Sequence, residues 1–99
     1  MEIIKKRSEK ELSIKLVGEL NSSTALELEE VIKNELRDVN SLIFDFSDLD
    51  YLSSAGLRVL LVSQKIMNKQ GTMLIKNVNE QIMEIFNITG FLNILTIQN

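Results

Sequence analysis

The chain has 99 residues, 44% of them hydrophobic and 25% charged, with a formal net charge of -3, the balance of one ordinary globular domain over residues 1–99. It contains no Cys, His, Pro or Trp, which excludes disulfides, thiolate metal sites, Ser-His-Asp and Cys-His catalysis and the commonest general base, so no enzyme is expected. Interspersed charge with an acidic excess argues against a nucleic-acid partner, and no run approaches the ~18 apolar residues of a membrane span. The opening MEIIKKRSEK lacks the apolar core of a signal peptide. A free cytoplasmic monomer is expected.

Residues 2–6 and 12–18 read as strands on either side of the polar SEKE stretch. The short connection predicts an antiparallel pair, with Ile14, Leu16 and Gly18 on one side by the period of two. Thr24 followed by Glu27 has capping-box spacing, so a helix is predicted to start at Thr24 and run to residue 37. Ala25, Leu28, Val31, Ile32 and Leu36 form its apolar stripe. Leu26 falls among the polar residues, either as an idle surface leucine or as a partner contact. A third strand begins at Ser41; Leu42, Ile43, Phe44 and Phe46 are nearly continuously apolar, as in a central strand. It is expected to end near Phe46, in an acidic turn of Ser47, Asp48, Leu49 and Asp50. A helix over 54–70 follows, with Gly71 as its stop. Then come a strand over 72–78 and a helix over 79–88, capped by Asn79 and ended by Gly90. Residues 91–98 leave room for a short helix or turn and a last strand. This order predicts an α/β fold: a mixed sheet of four to five strands with helices packed on it and right-handed crossovers.

Asp45, Asp48 and Asp50 form the one carboxylate cluster that could concern a hard cation. Their spacing lacks the glycine and distal glutamate of a calcium loop, so a solvated turn is expected and no metal. Arg58, Lys65 and Lys69 share a narrow arc of the second helix, as a wet face or as a seat for an acidic partner. That helix is otherwise apolar through Leu57, Val59, Leu60, Leu61, Val62, Ile66 and Met67. One sheet face cannot cover so wide an arc, so the surplus either packs on neighbouring helices or stays as a shoulder. No glycine-rich phosphate loop is present, and no cofactor is expected.

The informative stretch is DFSDLDYLSSAGLRVLL, residues 45–61. Ser53 and Ser54 stand directly before a helix, and either can be its N-cap. Gly56 falls in the first turn, where it is expected to leave the surface bare. Free N–H groups and a partial positive charge make such a terminus able to hold an added phosphate. Spacing alone leaves two readings of Ser54, a helix cap or a modifiable hydroxyl.

Three blocks resemble the anti-sigma factor antagonists of the STAS family and together run through most of the chain. Gly18-Glu19-Leu20-Asn21 with Thr24-Ala25 is similar to the family's G-x-L-D-x-x-T-A. Leu49 to Leu57 resembles its phosphorylation loop, in which a serine precedes a small residue and a glycine. Phe86-Asn87-Ile88-Thr89-Gly90-Phe91 is similar to its F-x-x-[ST]-G-[LF]. The resemblance puts the phosphoacceptor on Ser54, and puts Ser53 and Asn21 where many relatives have aspartate. It implies a non-enzymatic switch. The unphosphorylated protein binds an anti-sigma factor serine kinase of GHKL type and frees a sigma factor. The kinase then phosphorylates the antagonist, and a PP2C-type phosphatase reverses this. Another partner-switching cascade, not acting on a sigma factor, is the alternative. The implied partner surface is Asn21, Ser22, Ser23, Thr24, Leu26, Ser53, Ser54, Ala55, Gly56 and Leu57. Asp48 and Asp50 are expected to offset the helix's attraction for a phosphate, so that modification leaves the fold nearly untouched.

Overall fold

Leu12, Ile14 and Leu16 alternate with Ser13 and Lys15, the period-two signature of a strand with one wet face. In the computed structural model, which describes residues 1–98, this is β2 (Glu11–Leu20), paired antiparallel to β1 (Glu2–Ser8) across a tight turn at Glu9 and Lys10. Residue 99, the last of the expected domain, lies outside the described residues. The chain continues as α1 (Ser22–Glu35), β3 (Ser41–Leu52), α2 (Ser54–Asn68), β4 (Thr72–Lys76), α3 (Glu80–Thr89), a 3-10 turn (Phe91–Asn93) and β5 (Ile97–Gln98). The result is a mixed five-stranded sheet in the order β1-β2-β3-β4-β5, with β2 to β5 parallel.

Each parallel connection moves the chain one strand further in the same direction. Right-handed crossovers therefore put α1, α2 and α3 on one face of the sheet. Burial agrees: Leu12, Ile14, Leu16, Leu42, Phe44, Phe46, Met73 and Ile75 are buried, while their neighbours Ser13, Lys15, Ile43, Asp45 and Leu74 are only half-buried. The helices close the core with Leu28 and Ile32, Val59, Leu60 and Met67, and Ile82 and Phe86. The broad apolar arc of α2 divides between the two expected uses. Leu57, Val59, Leu60 and Met67 are buried, Ile66 packs against the core, and Leu61 and Val62 remain half-covered.

The structure corrects several boundaries. β3 does not end near Phe46. It runs on to Leu52, through the residues expected to form an acidic turn. The pairing explains how: Lys15 faces Asp45 but Val17 faces Asp48, and Gly18 faces Leu49 but Glu19 faces Tyr51. At each step β3 holds one extra residue, the mark of a β-bulge. Asp45 Oδ1 accepts the Ser47 N–H at 2.9 Å, satisfying a donor at the first bulge. Leu49, expected in a solvated turn, is 1% exposed. The helix ends also fall short of expectation, with α1 stopping at Glu35 and α2 at Asn68. Gln70 lies beyond α2 and donates from Nε2 to the Leu36 and Val39 carbonyls (2.7 and 2.6 Å), tying it to the loop before β3. Gly71 is required for closeness, since a Cβ there would collide with the Asn40 carbonyl. Gly90 fits its expected role as a left-handed C-cap at φ 80.

Candidate functional site

Parallel pairing sets Leu20 opposite Leu52, so β2 and β3 end together and their helices start from one edge of the sheet. The Ser53 N–H donates to the Leu20 carbonyl at 2.9 Å and stitches the two exits. Open parallel sheets characteristically place their functional groups at this carboxyl edge.

The start of α1 differs from expectation. Its N-cap is Asn21, three residues before Thr24, and Thr24 is the return arm of the capping box. Asn21 Oδ1 accepts the N–H groups of Ser23 and Thr24, both at 3.0 Å. Thr24 Oγ1 accepts the Asn21 N–H at 2.8 Å and donates to the Glu19 carbonyl at 2.7 Å. Thr24 thus spends its hydroxyl on the turn. Ser22 and Ser23 are exposed on the first turn, and Leu26 projects beside them at 66% exposure.

At α2 the N-cap is Ser53, whose Oγ accepts the Gly56 N–H at 3.1 Å. That settles which serine caps. Ser54 is the first helical residue; it is exposed, and its hydroxyl has no hydrogen-bond partner among the described residues. Helix geometry gives the N–H groups of Ser54 and Ala55 no carbonyl to bond, so two donors point outward beside that hydroxyl. Gly56 does not bare the surface, as expected from its place in the first turn. It is buried, and a Cβ there would come within 2.7 Å of Leu52 Cδ1 and 2.8 Å of Leu20 Cγ. Leu57 is buried as well. Thr24, Gly56 and Leu57 therefore support the edge from below, and Asn21, Ser22, Ser23, Leu26, Ser53, Ser54 and Ala55 form its surface.

The first turns of the two helices carry no acidic residue, although Asp50 and Glu19 are exposed near the ends of β3 and β2. Asp48, expected to oppose a phosphate on Ser54, lies four residues before the end of β3, roughly 10 Å or more back along the strand. That is at or beyond the Debye length at physiological salt, about 8 Å. Its carboxylate also meets Lys15 Nζ at 3.0 Å, and this bond and charge raise the Lys15 pKa. Asp45 faces the open side of the sheet. Burial pushes its carboxyl up, but hydrogen bonds from Asn77 Nδ2 (3.0 Å) and the Ser47 N–H outweigh that and hold it below the ordinary carboxylate value. Among the described residues no group of three acidic side chains could hold a metal ion, and no helix is long and apolar enough to cross a membrane.

One neighbour of Ser54 went unread in the sequence beyond its membership of a basic stripe. Arg58 lies one helical turn on, and its Nη2 stands 3.9 Å from Glu29 Oε2 on α1. The i,i+4 spacing from Ser54 was the available signal. Lys65 and Lys69, the rest of the stripe, flank a shallow groove with Val62 and Ile66 further along α2.

Residues 2–99 match the family model of the STAS domain. The chain belongs to the STAS domain family. It is 39% identical over 90 residues to BtrV of Bordetella bronchiseptica, named as an anti-sigma factor antagonist, an alignment covering 85% of this chain and 74% of BtrV. It is 29% identical over 93 residues to the anti-sigma-B factor antagonist of Bacillus subtilis, covering 93% and 85% of the two chains. Its fold is that of SpoIIAA, an anti-sigma factor antagonist solved in both states. The unphosphorylated form superposes with a TM-score of 0.80 at 16% identity over 99% of this chain and 88% of that one. The phosphorylated form gives 0.78 at 17% identity over 99% and 92%. This STAS chain thus sits among the anti-sigma factor antagonists, whose members are regulators and not enzymes.

Proposed function

We propose that this STAS domain is a cytoplasmic, phosphorylation-switched anti-sigma factor antagonist. Unphosphorylated, it binds an anti-sigma factor serine kinase of GHKL type through the edge shared by α1 and α2, and so frees a sigma factor. In the switch step, Ser54 Oγ attacks the γ-phosphorus of ATP held by the kinase. The Oγ–P bond forms, the bond from γ-phosphorus to the bridging oxygen breaks, ADP leaves, and a base of the kinase takes the hydroxyl proton. A PP2C-type phosphatase later hydrolyses the phosphoester. The chain is substrate and ligand here, so its lack of histidine is no obstacle.

The observation that carries this reading is the state of Ser54: an exposed, unbonded hydroxyl at the first position of α2, beside two free N–H donors and framed by the start of α1. Had Ser54 been the cap, its oxygen would have been committed to the Gly56 N–H, which Ser53 holds instead. That SpoIIAA, which shares this fold, has a phosphorylated form supports phosphorylation as the switching chemistry.

Phosphate adds about 1.5 to 2 negative charges. The start of α2 favours them by ~0.3–1 kcal/mol; Asp48 is remote and paired with Lys15, so Asp50, exposed near the end of β3, is the carboxylate left to oppose them. The free protein tolerates the modification. A surface shaped for a hydroxyl does not, and an unmatched interfacial charge costs ~2–5 kcal/mol, a loss of roughly 30- to several-thousand-fold in affinity.

The test uses the kinase captured on the unphosphorylated chain. Incubation with Mg-ATP and mapping by mass spectrometry should place one phosphate on Ser54 and none on Ser54→Ala. Calorimetry should show the phosphorylated chain binding at least ~30-fold more weakly. Label on Ser53, label persisting in Ser54→Ala, or unchanged affinity would overturn the proposal.

A further inference from the structure

The charged groups around Ser54 are few. Glu29 and Lys33 lie on α1, Asp50 near the end of β3, Glu19 near the end of β2, and Arg58 on α2 itself. Arg58 stands out by its bonding. Its guanidinium makes no hydrogen bond among the described residues, its side chain is 70% exposed, and its one ion pair, to Glu29 Oε2, is a loose 3.9 Å. Glu29 loses little if Arg58 leaves, because the same oxygen also meets Lys33 Nζ at 3.8 Å. Arg58 is thus an uncommitted planar fork of donors, the shape that binds phosphate oxygens two at a time.

Its position matters as much. Residues i and i+4 are neighbours on a helix surface, and helical side chains lean toward the N-terminus. From the next turn Arg58 can therefore reach back toward the Ser54 hydroxyl. An acid four residues before a base is the favoured order of such a pair, because the acid also meets the positive end of the helix.

We infer that Arg58 is the receptor for a phosphate on Ser54, exchanging its loose contact with Glu29 for charge-assisted hydrogen bonds to the phosphate oxygens. This rests on the reading of Ser54 as the modified residue and extends it. The phosphate is clamped from two sides, by the Ser54 and Ala55 N–H groups at the helix start and by Arg58 from the next turn. Phosphorylation then changes the partner edge twice, adding a dianion and withdrawing an exposed cation. It also releases the one ion pair that links α1 to α2 among the described residues.

The experiment needs no kinase. Phosphoserine is installed at position 54 by genetic encoding in the otherwise native chain and in Arg58→Gln and Arg58→Lys, and each phosphate is titrated by phosphorus NMR. An ordinary phosphoserine loses its second proton near pH 6. With Arg58 present the midpoint is expected about 0.5–1 unit lower than in Arg58→Gln, with Arg58→Lys in between. Circular dichroism should show all three chains folded, as befits an exposed residue. Midpoints agreeing within about 0.2 unit between the native and Arg58→Gln chains would overturn the inference, since the helix terminus alone would then hold the phosphate. Kinase labelling elsewhere would instead overturn the assignment of Ser54 and leave this measurement standing.

Discussion

The starts of α2 and α3 share a plan and differ in charge. Each has a small polar N-cap with extended backbone, Ser53 for α2 and Asn79 for α3, whose side chain accepts the N–H of the third helical residue. Each follows a parallel strand, and each buries that third residue, Gly56 in one and Ile82 in the other. Yet α3 carries Glu80 at its first position, while α2 carries Ser54 and has no acidic residue in its first turn. The two dipoles have the same sign. At α3 the complementary charge is written into the sequence, and at α2 the place is left vacant beside a hydroxyl that can receive one. The surroundings differ too. Asn79 is anchored across the fold, donating from Nδ2 to the Leu49 carbonyl at 3.1 Å. Among the described residues the Ser53 side chain bonds only within its own helix start, to the Gly56 N–H.

The two helix starts differ most at the buried third position. Valine replaces isoleucine at 82 with little loss, a methylene costing ~0.5–1.5 kcal/mol. Valine at Gly56 must displace Leu20 and Leu52, whose atoms lie within 3.0 Å of its Cβ. Gly56→Val is expected to lose ~1–3 kcal/mol or more, read as a lower urea midpoint; equal midpoints for the two variants would show that the Leu20–Leu52 contact yields freely.

Removing the caps is the next largest effect. Asn79→Ala should cost ~1–2 kcal/mol, because it loses both the Ile82 N–H bond and the tie to Leu49. Ser53→Ala loses a single bond to Gly56 and should cost ~0.5–1 kcal/mol. Thermal unfolding of the two variants side by side gives the order, and a costlier Ser53→Ala would reverse it.

The smallest effect sharpens the contrast most. Glu80→Gln empties the charge at α3 and should destabilise by ~0.3–1 kcal/mol at low salt, whereas Ser54→Asp fills the vacancy at α2 and should stabilise by a similar amount. Both effects should fade at 1 M salt. Opposite shifts in melting temperature are expected, and shifts of the same sign would mean that α2 is not an unfilled site.

Much of this was legible in the sequence. The shared side of Ile14 and Leu16, the helical stripe of Ala25, Leu28, Val31, Ile32 and Leu36, and the Asn79 and Gly90 ends of α3 were read correctly, because each depends on local periodicity or a local backbone state. The acidic stretch before Leu52 was misread as a turn. Polar residues signal a turn when they stand alone, but here β2 supplies a partner strand and two bulges absorb the extra residues. The start of α1 was placed three residues late, because Thr24 and Glu27 offered a valid capping box and the sequence does not show that Asn21 offers another.

The deepest division falls at the proposed site. Residue order alone determined that a serine, a small residue and a glycine would open a helix, and that histidine and cysteine chemistry was unavailable. Local rules suffice for that, since helix starts are governed by a few neighbouring residues. Only the tertiary structure decided which serine caps and which is free. Ser53 is fixed by its N–H bond to Leu20, thirty-three positions earlier, and by the parallel register that brings β2 and β3 out together. The same register brought the starts of α1 and α2 to one edge, sank Gly56 onto Leu20 and Leu52, and set Arg58 against Glu29 of α1. These are contacts between segments far apart in the chain, and they exist because burying the apolar face of each strand and helix fixes their relative positions.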